Sequence, residues 1–350
     1  MKNNKIYTLG ISCLYHDSSS VLLENDEIVS ASQEERFTRN KFENSFPINS
    51  INNCIENSKI DSFEEIDNIA FYEEPLVKLD RIVSNKIYFS PFNLIRNTIE
   101  IANWMENKFF IDKLIKKSLP SFNGNIQYFR HHLSHAASAF YPSPFDESTI
   151  LTIDGVGEWS CTSFGIGKRE HIEIISEQFY PHSVGFLYST LTQFIGFKVD
   201  SGEYKLMGLA PYGTPRFKNR ILDNIVNISH SGEVELNLDY FSFMNGTKMY
   251  SDKMENLFEI SPRKENDNIK TIHMDIASSI QAVIEDIVFK MVKYAIQKTQ
   301  NRNLCLAGGV ALNCVSNGKL INSGLIDGLW IQPASGDAGC ALGAAYLMVY

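Results

Sequence analysis

Two stretches of this chain carry the same order of apolar runs and polar turns, and that repeat restricts the fold more than any other feature. In the first, Ile6 to Cys13 reads as a strand and Tyr15-His-Asp-Ser-Ser-Ser20 as a tight polar turn. Val21 to Leu23 is a second strand, Asn25-Asp26 a hairpin turn and Ile28 to Gln33 a third strand. In the second, the strands are Ile150 to Asp154, Ser160 to Gly167 and Ile172 to Ser176, with a turn from Gly155 to Trp159. Setting Leu9-Gly-Ile-Ser12 against Leu151-Thr-Ile-Asp154 brings the two polar turns into register. The periodic stretch Ile48 to Ser58 adds a helix, so the class is mixed α/β. A duplicated domain is expected, with halves 1–147 and 148–350, each opening on an antiparallel hairpin whose first turn faces a central cleft.

Residues 75–125 read as an apolar, irregular insertion covering one side of the cleft, with a helix around Leu94 to Trp104. Residues 215–268, rich in Asn, Asp and Glu, read as a surface excursion. Ile272 to Ala295 is a long amphipathic helix whose isoleucines at helical spacing are core residues. The strand Leu304-Cys-Leu306 leads to Ala307-Gly308-Gly309 and a helix from Val310, and Leu329-Trp-Ile-Gln332 leads to Ser335-Gly336-Asp337-Ala338-Gly339 and a last helix. Two helix N-termini near one spot would offer unpaired N–H groups to an anion.

A net charge of −9 over 350 residues argues against a general electrostatic grip on nucleic acid. The six cysteines are scattered without a C-x-x-C pair, as in a reducing compartment. No apolar run approaches the roughly 20 residues that span a bilayer. A soluble, cytoplasmic chain without a signal peptide is expected, with no membrane partner.

Chemistry concentrates in a few stretches. In His131-His-Leu-Ser-His135 the outer histidines share a helical face. With Asp154, in the Gly-rich turn after Ile150 to Ile153, they form either a divalent transition-metal set or a polar helix face beside an ordinary turn. Asp337 is a fourth ligand or the N-cap of the last helix. His16, beside Asp17, is a general base or an exposed side chain of an Asx turn. Glu34-Glu-Arg-Phe-Thr-Arg-Asn-Lys41 is a solvated loop, or its Arg36, Arg39 and Lys41 meet a phosphate or acyl oxygen. Candidates for a bound nucleotide are Gly155 and Gly157, then Gly202, Glu203, Lys205 and Gly208 of the segment Ser201 to Gly213, then Gly308, Gly309 and Asn313.

Together these motifs resemble the O-carbamoyltransferase family of nodulation protein U and the antibiotic-tailoring carbamoyltransferases. The similar motifs are Leu-Gly-Ile-Ser…His-Asp-Ser, Glu-Glu-Arg-Phe-Thr-Arg, His-His-Leu-Ser-His-Ala-Ala-Ser-Ala-Phe-Tyr, Asp-Gly-Val-Gly-Glu, Gly-Leu-Ala-Pro-Tyr-Gly, Gly-Gly-Val-Ala-Leu-Asn and Ser-Gly-Asp-Ala-Gly. They run in the family's order from residue 7 to 347. The resemblance implies a duplicated ribonuclease-H-like fold of the actin-like ATPase/sugar kinase superfamily. It implies iron, Fe(II) or another divalent ion, on His131, His135, Asp154 and Asp337, with His16 as acid/base and Lys41 touching ligand. Phe42 departs from the polar residue that usually follows that lysine.

The implied reaction moves a carbamoyl group from carbamoyl-adenylate, made from carbamoyl phosphate and ATP, to a hydroxyl of a sugar or natural-product acceptor. Family members usually continue into a C-terminal adenylate-forming domain, whereas this sequence stops at Tyr350. A separate polypeptide supplying that step, or a truncated or split gene product, is therefore expected. The alternatives are a tRNA threonylcarbamoyltransferase-like enzyme and a catalytically silent nucleotide-binding subunit of a split carbamoyltransferase.

Overall fold

The computed structural model describes residues 5–88, 109–244 and 248–350. It contains two five-stranded sheets of one topology. The first has the order β3-β2-β1-β4-β5, built from β1 Tyr7–Ser12, β2 Ser19–Glu24, β3 Glu27–Gln33, β4 Asn68–Phe71 and β5 Asn125–Tyr128. The second is β8-β7-β6-β11-β12, built from β6 Glu147–Ile153, β7 Ser160–Lys168, β8 His171–Phe179, β11 Asn303–Ala307 and β12 Gly328–Ile331, while β9 Val226–Ile228 and β10 Val234–Leu236 form a separate antiparallel pair. In each, the first three strands form an antiparallel meander and the last two add in parallel beside the first. Tight turns suffice for the meanders; Asn25, at φ 58°, takes the left-handed conformation that Asn tolerates between β2 and β3. Parallel neighbours need long crossovers, and these carry the helices. This is the duplicated ribonuclease-H-like fold.

The sheets are stitched together by two exchanged helices. His131–Phe140 follows β5 of the first sheet yet packs on β6, β7 and β11 of the second. Cys340–Val349 follows β12 of the second yet packs on β1, β2 and β4 of the first. Alanine favours both as helices and also keeps their surfaces thin. A Cβ on Gly343 would lie 1.8 Å from the Ser134 carbonyl oxygen, so the two backbones touch where the helices cross.

Several expectations change here. The described parts of residues 75–125 include two helices of the β4-to-β5 crossover, Pro75–Tyr88 and Ile111–Ser118, and the second buries Ile111 and Ile115. The helix expected at Leu94 to Trp104 lies outside the described residues. Residues 215–268 are not a surface excursion, because Phe217, Ile221, Ile225, Leu236, Met254 and Phe258 enter the main core of the second half. Their spacing among polar residues hid them in the composition. The amphipathic helix runs longer than expected, Thr271–Thr299. After β11 the chain makes a 3-10 turn, Gly309–Leu312, and the helix begins only at Cys314. The last helix likewise starts at Cys340, after a 3-10 turn at Asp337–Gly339. Among the described residues no helix is long and apolar enough to cross a membrane.

Candidate functional site

The duplication brings four polar points to the floor of the central cleft. The turn after β1 carries His16, and the equivalent turn after β6 carries Asp154. The helix after β5 begins at His131, and the turn before the helix after β12 carries Asp337. His131 Nε2 lies 3.3 Å from Asp154 Oδ2 and 3.6 Å from Asp337 Oδ1. His135 Nε2 lies 3.9 and 3.6 Å from the same oxygens. Potential ligand atoms of these four residues all fall within 4.8 Å of one another.

His135 Nε2 and Asp337 Oδ1 are buried and make no hydrogen bond. Leaving such atoms unpaired is costly unless something else satisfies them. A divalent ion would do so, and two imidazoles with two carboxylates are a suitable donor set. His132, between His131 and His135 in sequence, faces elsewhere and bonds Thr152 Oγ1 at 2.6 Å. Burial beside His131 and His135 pushes its pKa down to about 3, so it stays neutral.

The supports of this cluster are specific. Glu158 accepts the His131 backbone N–H at 3.0 and 3.1 Å, which fixes the start of the helix. Gly309 donates its N–H to Asp154 Oδ1 at 2.9 Å. That turn can close on the end of β6 because Gly308 takes φ 89°, with its α-carbon beside the Ile153 carbonyl. Asp337 does not cap the last helix: no side-chain cap bond forms there, and its carboxylate joins the cluster instead. Burial alone would raise both carboxyls; the histidines around them outweigh it and hold both below the usual range.

His16 Nδ1 bonds Asp17 Oδ2 at 2.9 Å, while Nε2 faces Asp337 Oδ2 at 3.8 Å. Burial would lower its pKa, but Asp337 and then Asp17 win and raise it to about 10. The turn is strained, since Leu14 and Asp17 both have positive φ, each costing on the order of 1–3 kcal/mol. Backbone bonds from Leu14 to Asn44 and from Ser18 to Glu43 hold it in place. His16 is therefore no free side chain of an ordinary turn.

A cavity of about 310 Å³ opens above the cluster between the two halves. His16, Asp154, Gly155, Glu203, Gly309, Asn313 and Asp337 line it, with Phe186, Ile284, Val310 and Leu312 as apolar walls. Other expected contacts fall elsewhere. Lys41, Arg36 and Arg39 are exposed and outside the lining, whereas Phe42 is part of it. Lys205 and Gly208 are also exposed and outside it, and a Cβ on Gly208 would meet nothing within 4 Å. Gly202 packs on the Lys198 carbonyl, and Gly157 packs on the His131 ring. Glu203 accepts from Ser189 Oγ at 2.6 Å. Asn313 is engaged by a reciprocal amide pair with Gln281, both bonds 3.0 Å, and it caps the helix at Cys314 by accepting from Ser316 N–H. The helix N-terminus expected at Gly309 is thus replaced by one already capped.

Against this geometry, the family described as Carbamoyltransferase N-terminus matches residues 7–346. The chain belongs to the carbamoyltransferase family. Two relatives show its reach within that family. The uncharacterized protein sll1178 of Synechocystis sp. (strain PCC 6803) is 44% identical over 346 residues, covering 97% of this chain and 56% of the relative. Nodulation protein NolNO of Sinorhizobium fredii is 32% identical over 339 residues, covering 95% and 46%. The chain thus spans about half the length of the curated relatives it matches. Among solved structures, the activator of 2-hydroxyisocaproyl-CoA dehydratase from Clostridium difficile superposes with TM-score 0.47 at 16% identity, over 98% of this chain and 94% of that one.

Reading the sequence missed Glu158, although it closes the Asp-Gly-Val-Gly-Glu motif; a carboxylate beside two glycines was the available signal. It also missed Phe186, Tyr188 and Asp200, which line the cavity from loops and a helix without any motif.

Proposed function

We propose that this chain performs the transfer step of a metal-dependent O-carbamoyltransferase, delivering a carbamoyl group from carbamoyl-adenylate to a hydroxyl of a sugar or natural-product acceptor. The observation that carries this reading is the convergence of His131, His135, Asp154 and Asp337, with unpaired buried atoms, beside His16 at the floor of one cavity. A carbamoyl group is a sluggish electrophile because its nitrogen donates into the carbonyl, and an adenylate gives it a good leaving group. The ion, Fe(II) or another divalent metal held by those four residues, would offset charge on the adenylate phosphate or the carbamoyl oxygen.

The chain's own residues do the rest. The apolar walls exclude water that would otherwise hydrolyse the adenylate. Asp17 holds Nδ1 of His16, leaving Nε2 to take the acceptor's hydroxyl proton. A new bond forms between acceptor oxygen and carbamoyl carbon, the carbon–oxygen bond to AMP breaks, and the proton passes from His16 to solvent. That role requires a neutral imidazole, so the Asp337 charge that raises His16 must be shared with a cation during the reaction. Glu203, which lines the cavity and accepts from Ser189, would receive a ribose hydroxyl. Carbamoyl phosphate and ATP enter through an adenylate-forming unit, on this polypeptide or a separate one.

The test is to incubate the purified chain with chemically prepared carbamoyl-adenylate, Fe(II) and a panel of sugars, and to detect carbamoylated product by mass. Product that forms with the chain and disappears in His16→Ala supports the reading. No product with any acceptor, together with no metal retained after anaerobic purification, would favour a silent subunit.

A further inference from the structure

Cys340 opens the last helix, three residues after Asp337, and is completely buried. This spacing presents a carboxylate and a thiol toward one region. His131 and His135 consequently belong to two overlapping donor sets. One is completed by Asp154 and Asp337, the other by Cys340, and in each the donor atoms lie within 4.8 Å of one another. Both histidines common to these sets carry buried nitrogens without a hydrogen-bond partner: Nδ1 and Nε2 of His135 and Nδ1 of His131.

The geometry points to Cys340 as a metal ligand that gives the site a soft side. A thiophilic divalent ion such as Zn2+, Cd2+ or Co2+ is held by His131, His135 and the Cys340 thiolate. A harder ion such as Mn2+ sits with the same histidines against Asp154 and Asp337. Ligand softness decides between the sets, because thiolates select soft ions and carboxylates hard ones. On binding, the Sγ–H bond breaks, the sulfur keeps the electron pair and donates it to the ion, and the proton leaves to solvent. Three protein ligands leave the ion an open position, the arrangement of reactive zinc sites. The identity of the bound ion therefore sets which protein groups remain to face substrate. This inference rests on the histidine pair binding metal, as proposed above.

The competing account is that Cys340 is a small apolar side chain, packed with Ala344 in the core of the first half. Anaerobic titration of the purified chain with Co2+ separates the two. A sulfur-to-cobalt charge-transfer band in the near ultraviolet is expected for the wild type and not for Cys340→Ala, which still binds Co2+ through the remaining residues. Cd2+ affinity should fall about ten- to a hundredfold in Cys340→Ala while Mn2+ affinity is retained. Cys340→Ser serves the same comparison where the alanine variant does not fold. Co2+ bound without that band, or a band that survives in both variants, overturns the assignment of Cys340 and leaves the four-residue metal reading standing. Failure of the wild type to bind Co2+ and Mn2+ alike overturns both.

Discussion

Gly157→Ala tests whether the His131 ring is held in place by the absence of a side chain opposite it. A Cβ at residue 157 would lie 2.8 Å from His131 Cδ2, 2.9 Å from its Cβ and 3.0 Å from its Cγ. Ordinary contact begins near 3.4 Å, so ring and turn must separate by about 0.6 Å. Neither is free to move. The His131 backbone is pinned by Glu158, and Gly157 N–H bonds the Ser160 carbonyl at 2.9 Å. Because Glu158 is the next residue, moving the turn also moves the anchor of the helix. Metal–ligand distances tolerate only about ±0.2 Å, so a shift of this size exceeds what the first coordination sphere absorbs. Overpacking should cost about 1–3 kcal/mol of stability. The displaced ring should cost about ten- to a hundredfold in metal affinity. Thermal melting and metal titration of the same preparation read both effects. Gly208→Ala is the control: it sits in a helix with open space around it and should gain about 0.5–1 kcal/mol with metal affinity unchanged. Wild-type metal affinity in Gly157→Ala would refute the claim that this glycine seats the ligand.

Three further outcomes follow from the geometry. His135→Ala should lose bound metal after anaerobic purification, whereas His16→Ala should retain it and lose transfer from carbamoyl-adenylate; metal analysis showing the reverse would sink the division of roles. Gln281→Leu leaves Asn313 and the Tyr188 hydroxyl without their buried partner, so calorimetric melting should show a loss of about 1–3 kcal/mol with the second half most affected. Asp275 is held below its ordinary pKa: burial would raise it, but the Thr214 N–H and then Arg216 prevail. Its contribution is present above the unfolded carboxylate pKa and lost as pH falls through the lower folded value. Denaturant titrations should therefore show Asp275→Asn less stable at neutral pH and converging on the wild type in acid; a constant difference across that range would refute this linkage.

The fold was legible because alternation and turn chemistry are local. Ile6 to Gln33 and Ile150 to Ser176 each encode a meander through side chains that meet immediate neighbours, and the duplicated order of strands follows. Residues 215–268 were illegible for the opposite reason. Phe217, Met254 and Phe258 are isolated among polar residues, and only the long Thr271–Thr299 helix and its neighbours give them a place to be buried. The short 3-10 turns were missed as well. Gly308 at positive φ and the Gln281–Asn313 amide pair displace the helix start to Cys314, and that pair spans 32 residues.

For the site, the sequence by itself determined the inventory: two histidines one helical turn apart, an aspartate in each of two glycine turns, and a histidine in the equivalent turn of the first half. Their residue types limit what they can hold, whatever their placement. Tertiary structure alone decided that Asp337 turns away from capping and toward His131, that Gly309 serves Asp154, and that Lys41 and Lys205 stand in solvent outside the cavity. It also decided that Cys340 shares the histidine pair. The physical reason is the exchange of the two helices, which cross at Gly343 and Ser134 and bring polar side chains from each half into one cluster. That contact joins residues more than two hundred positions apart, beyond the reach of any local pattern.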